Sequence, residues 1–315
     1  MEGVMAHSTS QTEAAEIKNA APSPLREFWY YFRQNRGAVL GLVLIVLFTV
    51  VALLSPWVSP HDPAILYTDS LTLAPAWTQG GEARFPLGTD DVGRDLLSRL
   101  MAGARVSLGI GFMVVIISLT FGTLLGLMAG YYGGWIDAVL QMITDAIRTV
   151  PAIPLFMALA AFLPDEWSAE LRFLFISIIL GLIGWPTLAR RVRTHLLTER
   201  SQDYVLAAQL CGATPGHVIR KHLLPSFTSY IIVDLVISFP YMVLSETALS
   251  FIGLGLKDPV NSLGVMLQNV TKADVLLNYQ WYFIPVIFFM ALVLAFVFVG
   301  DGLRDAADPY ASTKK

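Results

Sequence analysis

The sequence predicts an all-α membrane protein with about six transmembrane helices, and three observations predict it. Charged residues make up 14% of the 315-residue chain and hydrophobic residues 55%, where a soluble domain carries about 25% charge. The apolar residues fall in blocks: positions 37–58 run 22 residues without a charge, 106–136 run 31 and 275–300 run 26. Each block is longer than the roughly 18 to 20 residues that cross a bilayer core as a helix. Lys and Arg are also shared unevenly between alternate loops, as in chains that thread a membrane.

The spans are expected near 37–58, 106–131, 137–163, 173–189, 226–250 and 279–300. Ahead of them, residues 1–24 are rich in Ala, Ser, Thr and Pro and are expected to form a disordered leader. Residues 25–36 set aromatics beside Arg26, Arg33 and Arg36. That reads either as a short helix lying on the membrane surface or as the positive flank of the first span. The first span follows a 36-residue polar stretch and has no small-x-small cleavage site after it, so it is expected to be a true span rather than a cleaved signal.

The third and fifth spans carry charges: Asp145 and Arg148 in one, Asp234 and Glu246 in the other. A charge near mid-membrane costs about 2.5 to 3.5 kcal/mol on insertion scales. These residues are therefore expected to face a bundle interior, a watery cavity or a helix end. Asp145 and Arg148 stand three apart and are expected to pair on one helix face. Pro151 and Pro154 follow and are expected to kink that helix or end its regular part.

With the N-terminus in the cytoplasm, cytoplasmic segments hold 13 Lys/Arg and outer segments 7. The loops flanking the fourth span differ by six to one. The bias places both chain ends inside. There is no internal repeat of the kind that marks many secondary transporters.

Residues 190–225 form the most informative loop. Positions 201–210 have helical character, with Tyr204, Val205, Ala208 and Cys211 along one side. Gly212 is placed to end that helix in a left-handed cap. Thr214-Pro215 reads as an N-cap followed by proline at the first helical position. Val218, Ile219 and Leu223 give a second helix an apolar side before Pro225 stops it. The expectation is a helix–turn–helix knuckle, in which Ala207 and Ala208 let another surface approach the backbone. From spacing alone, a loop folded against its own bundle fits as well.

Specific resemblances follow. Asp203-Tyr-Val-Leu-Ala-Ala-Gln-Leu-Cys-Gly212, with His222-Leu-Leu-Pro225 beyond it, resembles the EAA loop of ABC-importer permeases. In that family this loop is a coupling helix seated in a groove of the ATPase subunit. Carried onto this chain, the coupling residues are Asp203, Leu206, Ala207, Ala208, Gly212, His222, Leu224 and Pro225. Leu206 stands where the family has the acid of Glu-Ala-Ala. The stretch Arg26-Glu-Phe-Trp-Tyr-Tyr-Phe-Arg-Gln-Asn-Arg-Gly37 is similar to the N-terminal segment of C-type permeases of the dipeptide/oligopeptide/nickel group, as is His61-Asp-Pro63. Leu87-Gly-Thr-Asp-Asp-Val-Gly-Arg-Asp95 also resembles that group. Followed by Ser98-Arg-Leu and Gly103-Ala-Arg105, it reads physically as a capped amphipathic helix on the outer surface feeding the second span, with Asp90, Asp91, Arg94 and Asp95 as local ion-pair partners.

Glu246-Thr-Ala-Leu-Ser-Phe-Ile-Gly-Leu-Gly255 and Gly264-Val-Met-Leu267 match the group too, with Leu263 where it usually has tryptophan. The resemblance puts this region near an outer gate, with Gly253 and Gly255 permitting tight turns in a water-lined vestibule. Glu246 is then a gate residue or a helix-end carboxylate. Gly300-Asp-Gly-Leu-Arg-Asp-Ala-Ala-Asp-Pro309 closes the chain as these permeases do, so the resemblance covers about residues 25–310.

The resemblance implies a type I ABC-importer permease fold: residues 25–102 hold the first span and a long outer loop, 103–301 the permease core and 302–315 a cytoplasmic tail. It implies a related second permease, two cytoplasmic ATPases, an external solute-binding protein and surrounding lipid as partners, in a cytoplasmic membrane. Peptide is the expected cargo, with oligosaccharide or nickel as alternatives. The chain has no G-x-x-x-x-G-K-[ST] to cradle ATP phosphates, no catalytic motif and no basic stripe for nucleic acid. No cofactor, metal or catalytic residue is expected. Its single cysteine, Cys211, excludes an internal disulfide. The rival reading is an ion-coupled secondary transporter with Asp145, Asp234 or Glu246 as proton carriers; a membrane-embedded enzyme lacks any nucleophile–base or metal constellation.

Overall fold

The protein's architecture is that of a computed structural model describing residues 24–164, 166–258 and 260–307. The leader 1–23 and the end of the tail lie outside the described residues, so the disorder expected of the leader is left where the sequence put it. Among the described residues there is no β-strand, only an isolated bridge between Thr89 and Asp95.

Helix α1 spans Pro24–Gln34 and α2 Arg36–Val58, with the Asn35 side chain accepting from the Ala38 backbone amide to start the second. A turn-rich loop leads to α3, Leu96–Tyr132. After Gly133 come α4, Gly134–Thr149, and α5, Ala152–Ala161, then α6, Ala169–Glu199. The knuckle holds α7, Asp203–Leu210, and α8, Pro215–Val218, before α9, Thr228–Phe251. Two short helices, α10 (Leu263–Val270) and α11 (Ala273–Asn278), precede the closing helix α12, Ile284–Ala307.

Five helices are long and apolar enough to cross a membrane, and α4 with α5 makes a sixth crossing if the bent pair is one span. The third expected span is thus two helices meeting at 86°. Pro151 has no amide hydrogen to continue the α4 ladder, and Val150 before it is extended, as steric crowding by a proline ring favours.

Helices α3 and α6 start before, and α6 ends well beyond, their expected limits. Asp95 caps α3 through the Ser98 amide, so the helix begins ten residues before the apolar block. The capped helix feeding the second span is present but starts only at Leu96: within 87–95, Gly88 and Gly93 have positive φ, and turns closed by Asp90 side-chain bonds stand in place of helix. At its other end α6 carries Arg190, Arg191 and Arg193 as helical residues rather than as loop.

Alternation of the spans puts α1, the knuckle and the end of α12 at one end of the bundle. The 59–95 loop, α10 and α11 occupy the other. The most extensive helix contact in the bundle is α3 against α6. A Cβ on Gly122 would meet Leu188 Cβ at 2.9 Å, on Gly126 the Ala189 carbonyl oxygen at 2.6 Å, and on Gly130 Leu196 Cβ at 2.9 Å. Spacing of four places the three glycines on one helix face, so the backbones approach as small-residue stripes allow in membranes.

Candidate functional site

At the knuckle end, α6 runs out of the bundle into α7. Arg200 donates to the Gly130 carbonyl oxygen at 3.0 Å, fixing the exit of α6 against α3. The Tyr204 hydroxyl donates to Glu199 at 2.6 Å, and this bond raises the pKa of the phenol, as do its partial burial and the nearby negative charge. Gly212 sits at φ 83°, and the Ala213 amide donates to the Ala208 carbonyl oxygen at 3.0 Å across the turn. A residue with a Cβ in this conformation loses about 1–2 kcal/mol, so the glycine is required by the backbone. Thr214 caps the next turn by accepting from the His217 amide, with Pro215 at the first helical position.

The second helix differs from its expected form. Four α-helical residues pass into a π-turn, Ile219–Leu223, and Pro225 sits inside the next helical turn rather than ending it. Along α7 the one buried residue is Val205; Tyr204 and Cys211 are exposed, so the expected apolar side is narrower. Val205, Val218, Leu223 and Phe227 pack into one cluster with Leu127, Val192 and Leu196 of the bundle. His222 sits against both Tyr204 and His217, with ring centroids 6.2 and 5.9 Å away, joining the two halves of the knuckle.

The opposite face is left open. Leu210 is 90% exposed and Leu206 45%, while Asp203, Ala207 and Pro225 are exposed and Ala208 and Leu224 half-buried. Eight resemblance-derived residues therefore lie on one compact unit, anchored beneath and apolar above.

Three neighbouring arginines of α6 tie it to two other helices. Arg190 pairs with Asp145 and Arg193 with Asp137, both on α4, the latter at 2.5 Å. Arg191 pairs with the buried Asp234 of α9. The expected Asp145–Arg148 pair is not formed, because the two arginines of α6 face α4 across the helix boundary and Asp145 turns to Arg190. Asp145 and Asp234 are thus each engaged by a cation.

Glu246 is at the other end, and it is not a helix-end carboxylate. It lies inside α9, 0% exposed, where it accepts from Ser107 at 3.0 Å, Ser250 at 2.9 Å and Thr247 at 3.4 Å. Ser107 in turn accepts from the Leu263 amide at 3.1 Å, and Ser250 from the Leu256 amide at 3.0 Å. Gly253, at φ 79°, turns the chain back, and a Cβ on Gly255 would meet the Ser250 amide nitrogen at 2.6 Å. The sequence singled out Glu246, Gly253 and Gly255 but gave no sign of Ser107, which lies 139 residues away.

The 87–95 loop is bound to this re-entrant segment by charge. Buried Arg99 pairs with Asp90 and donates to Asn261 at 3.1 Å. Arg94 bonds Asp90 at 2.7 Å and Asp258 at 2.9 Å, and Lys272 pairs with Asp91 at 2.5 Å. Burial works against the Arg94 charge, but the two carboxylates outweigh it and raise its pKa. The expected pore residues therefore split: Asp145 belongs with the α4–α6 contact and Arg148 lies exposed near the end of α4, whereas Glu246, Gly253 and Gly255 form the hub at the opposite end.

Residues 122–312 match the family described as binding-protein-dependent transport system inner membrane component, and 23–75 match the N-terminal TM domain of oligopeptide transport permease C. The chain is 37% identical over 291 residues to the dipeptide transport system permease protein DppC of Haemophilus influenzae, covering 92% of this chain and 96% of that protein. It is 39% identical to the di/tripeptide transport system permease protein DppC of Pseudomonas aeruginosa, over 91% and 93% of the two chains. Against the dipeptide permease DppC of Escherichia coli it is 38% identical, over 95% and 97%. The chain is a multi-pass membrane permease and belongs to the family of binding-protein-dependent transport system inner membrane components.

Proposed function

We propose that this chain is the C-type permease subunit of an ATP-driven importer of di- and oligopeptides, and that its knuckle is the dock for a cytoplasmic ATPase. The observation that carries the reading is the knuckle itself: a unit rooted in the bundle by Val205, Val218 and Leu223, with Leu206 and Leu210 left apolar and open. Solvent-exposed leucines on a rigid projection suit a partner's groove. The names of the three permeases above support peptide as the cargo. The Lys/Arg bias supports both termini, and hence the knuckle, on the cytoplasmic side.

Coupling follows from the connections of α6. A push on the knuckle moves α6, because the two are joined by the Leu196–Val205 cluster, and Arg200 ties the exit of α6 to α3. The close α3–α6 contact and the pairs of Arg190, Arg191 and Arg193 carry that displacement to α3, α4 and α9 as a body. With a second, related permease, two ATPases and an external solute-binding protein, rocking of such bodies alternates access to the pathway.

The test is co-purification of ATPase subunits with the detergent-solubilised chain, wild type against Gly212→Asp. Space beside Gly212 is open, so the variant strains the turn and adds a carboxylate to the dock without a clash. ATPase retained by wild type and lost from the variant supports the dock. No ATPase with either form contradicts the importer reading.

A further inference from the structure

A cavity of about 1130 Å³ lies between the ends of α2 and α3 on the side away from the knuckle. That is above the roughly 300–1,000 Å³ of small-molecule sites. Its deep walls are aromatic, Phe173, Phe239 and Phe296. Its rim is charged, with Asp62 just past the end of α2 and Arg105 just before the apolar block of α3. Two of its lining residues, Leu53 at 60% and Phe112 at 58% exposure, lie in the zone that the spans place in lipid. Arg105 is exposed and makes no ion pair among the described residues.

The two levels are set by the helices. Arg105 and Phe112 are seven residues apart on α3, about 10 Å along its axis. A cation at headgroup depth above an apolar cleft at acyl depth describes an amphiphile with an anionic head and a hydrocarbon tail. A peptide is the poorer fit. Beneath the rim, Thr49 and Ser55 supply the hydroxyls and the aromatic walls supply nothing. The amides of a peptide chain would be left unpaired there, at about 1–3 kcal/mol for each group.

We propose that this cavity is a phospholipid-binding site, with Arg105 holding the headgroup phosphate and one acyl chain lying between α2 and α3 against Phe112. Asp62 stands on the same rim to take the ammonium of a zwitterionic head. The occupant enters sideways from the bilayer, past the exposed Leu53 and Phe112.

The test places the photo-crosslinking residue benzoylphenylalanine at Phe112 in the intact transporter in its membrane. The same residue at Val43, exposed on α2 outside the cavity lining, serves as control. Irradiated protein is read by mass spectrometry. The expected result is a phospholipid adduct at 112 that falls several-fold in Arg105→Gln, with any lipid adduct at 43 unchanged. A lipid adduct at 112 indifferent to Arg105→Gln means bulk bilayer only and overturns the site. An adduct to the second permease or to a cargo peptide assigns the cavity to that occupant and overturns it too, as does the absence of any adduct.

Discussion

The Ser107 hydroxyl of α3 donates to Glu246 of α9 at 3.0 Å while accepting from the backbone amide of Leu263 at 3.1 Å. One hydroxyl thus joins two spans and the re-entrant segment in a place closed to water, where a carboxylate has hydroxyls and, among the described residues, no cation as partners.

Glu246→Ala leaves the Ser107, Thr247 and Ser250 hydroxyls without their shared acceptor. Buried polar groups in that position cost about 1–3 kcal/mol. The variant is expected to lower the unfolding temperature of the purified transporter, whereas Glu246→Gln, which keeps one accepting oxygen, is expected to lose less. Thermal scans of the two variants against wild type check this.

Gly126→Val is expected to damage the bundle severely. Its Cβ position is 2.6 Å from the Ala189 carbonyl oxygen and 2.8 Å from Val192 Cβ, so α3 and α6 must separate. Overpacking of that kind costs about 1–3 kcal/mol, and more where backbone must move. Gly216→Val, where nothing lies within 4 Å, is expected to leave folded yield unchanged. Size-exclusion profiles and membrane yield separate the two.

Asp234→Asn removes the charge facing Arg191 from a buried position. Arg191 is 42% exposed at its side chain, so water recovers part of the loss. The expected cost is about 1–3 kcal/mol, below the 3–5 of a fully buried pair. Arg191→Met alone is expected to destabilise more than the double variant Arg191→Met/Asp234→Leu. A double-mutant cycle on unfolding temperature measures the coupling.

Much of this was legible because its causes are local. Spans appear as apolar blocks, Gly212 as the residue a left-handed turn needs, and Thr214-Pro215 as a helix start, and all three stand in the structure. The misses have non-local causes. Asp145 is three residues from Arg148, but its partner is Arg190, 45 residues on. Segment 87–95 has the acids and glycines of a capped helix and its Asp90–Arg94 pair is local, yet Arg94 also answers to Asp258 and Asp91 to Lys272, which no spacing links to it. The glycine triplet 122, 126 and 130 was readable as a small-residue stripe, but the helix it faces was not.

Leu210→Asp tests the dock without touching the bundle. Leu210 is 90% exposed, so the isolated chain is expected to keep its stability within about 0.5 kcal/mol. ATPase association is expected to weaken tenfold or more, read by titrating the purified ATPase onto the permease. Val205→Asp, which buries a charge in the knuckle's root, is expected to lose the fold of the knuckle itself.

The most direct test uses the chain's own cysteine. Cys211 is exposed at the tip of α7, next to Leu210. Maleimide labelling of Cys211 is followed in the permease alone and in the complex with its ATPase. If the knuckle is the dock, labelling slows at least tenfold on ATPase binding and recovers when the ATPase is stripped away. Equal labelling rates with and without the ATPase place the contact elsewhere and contradict the coupling role.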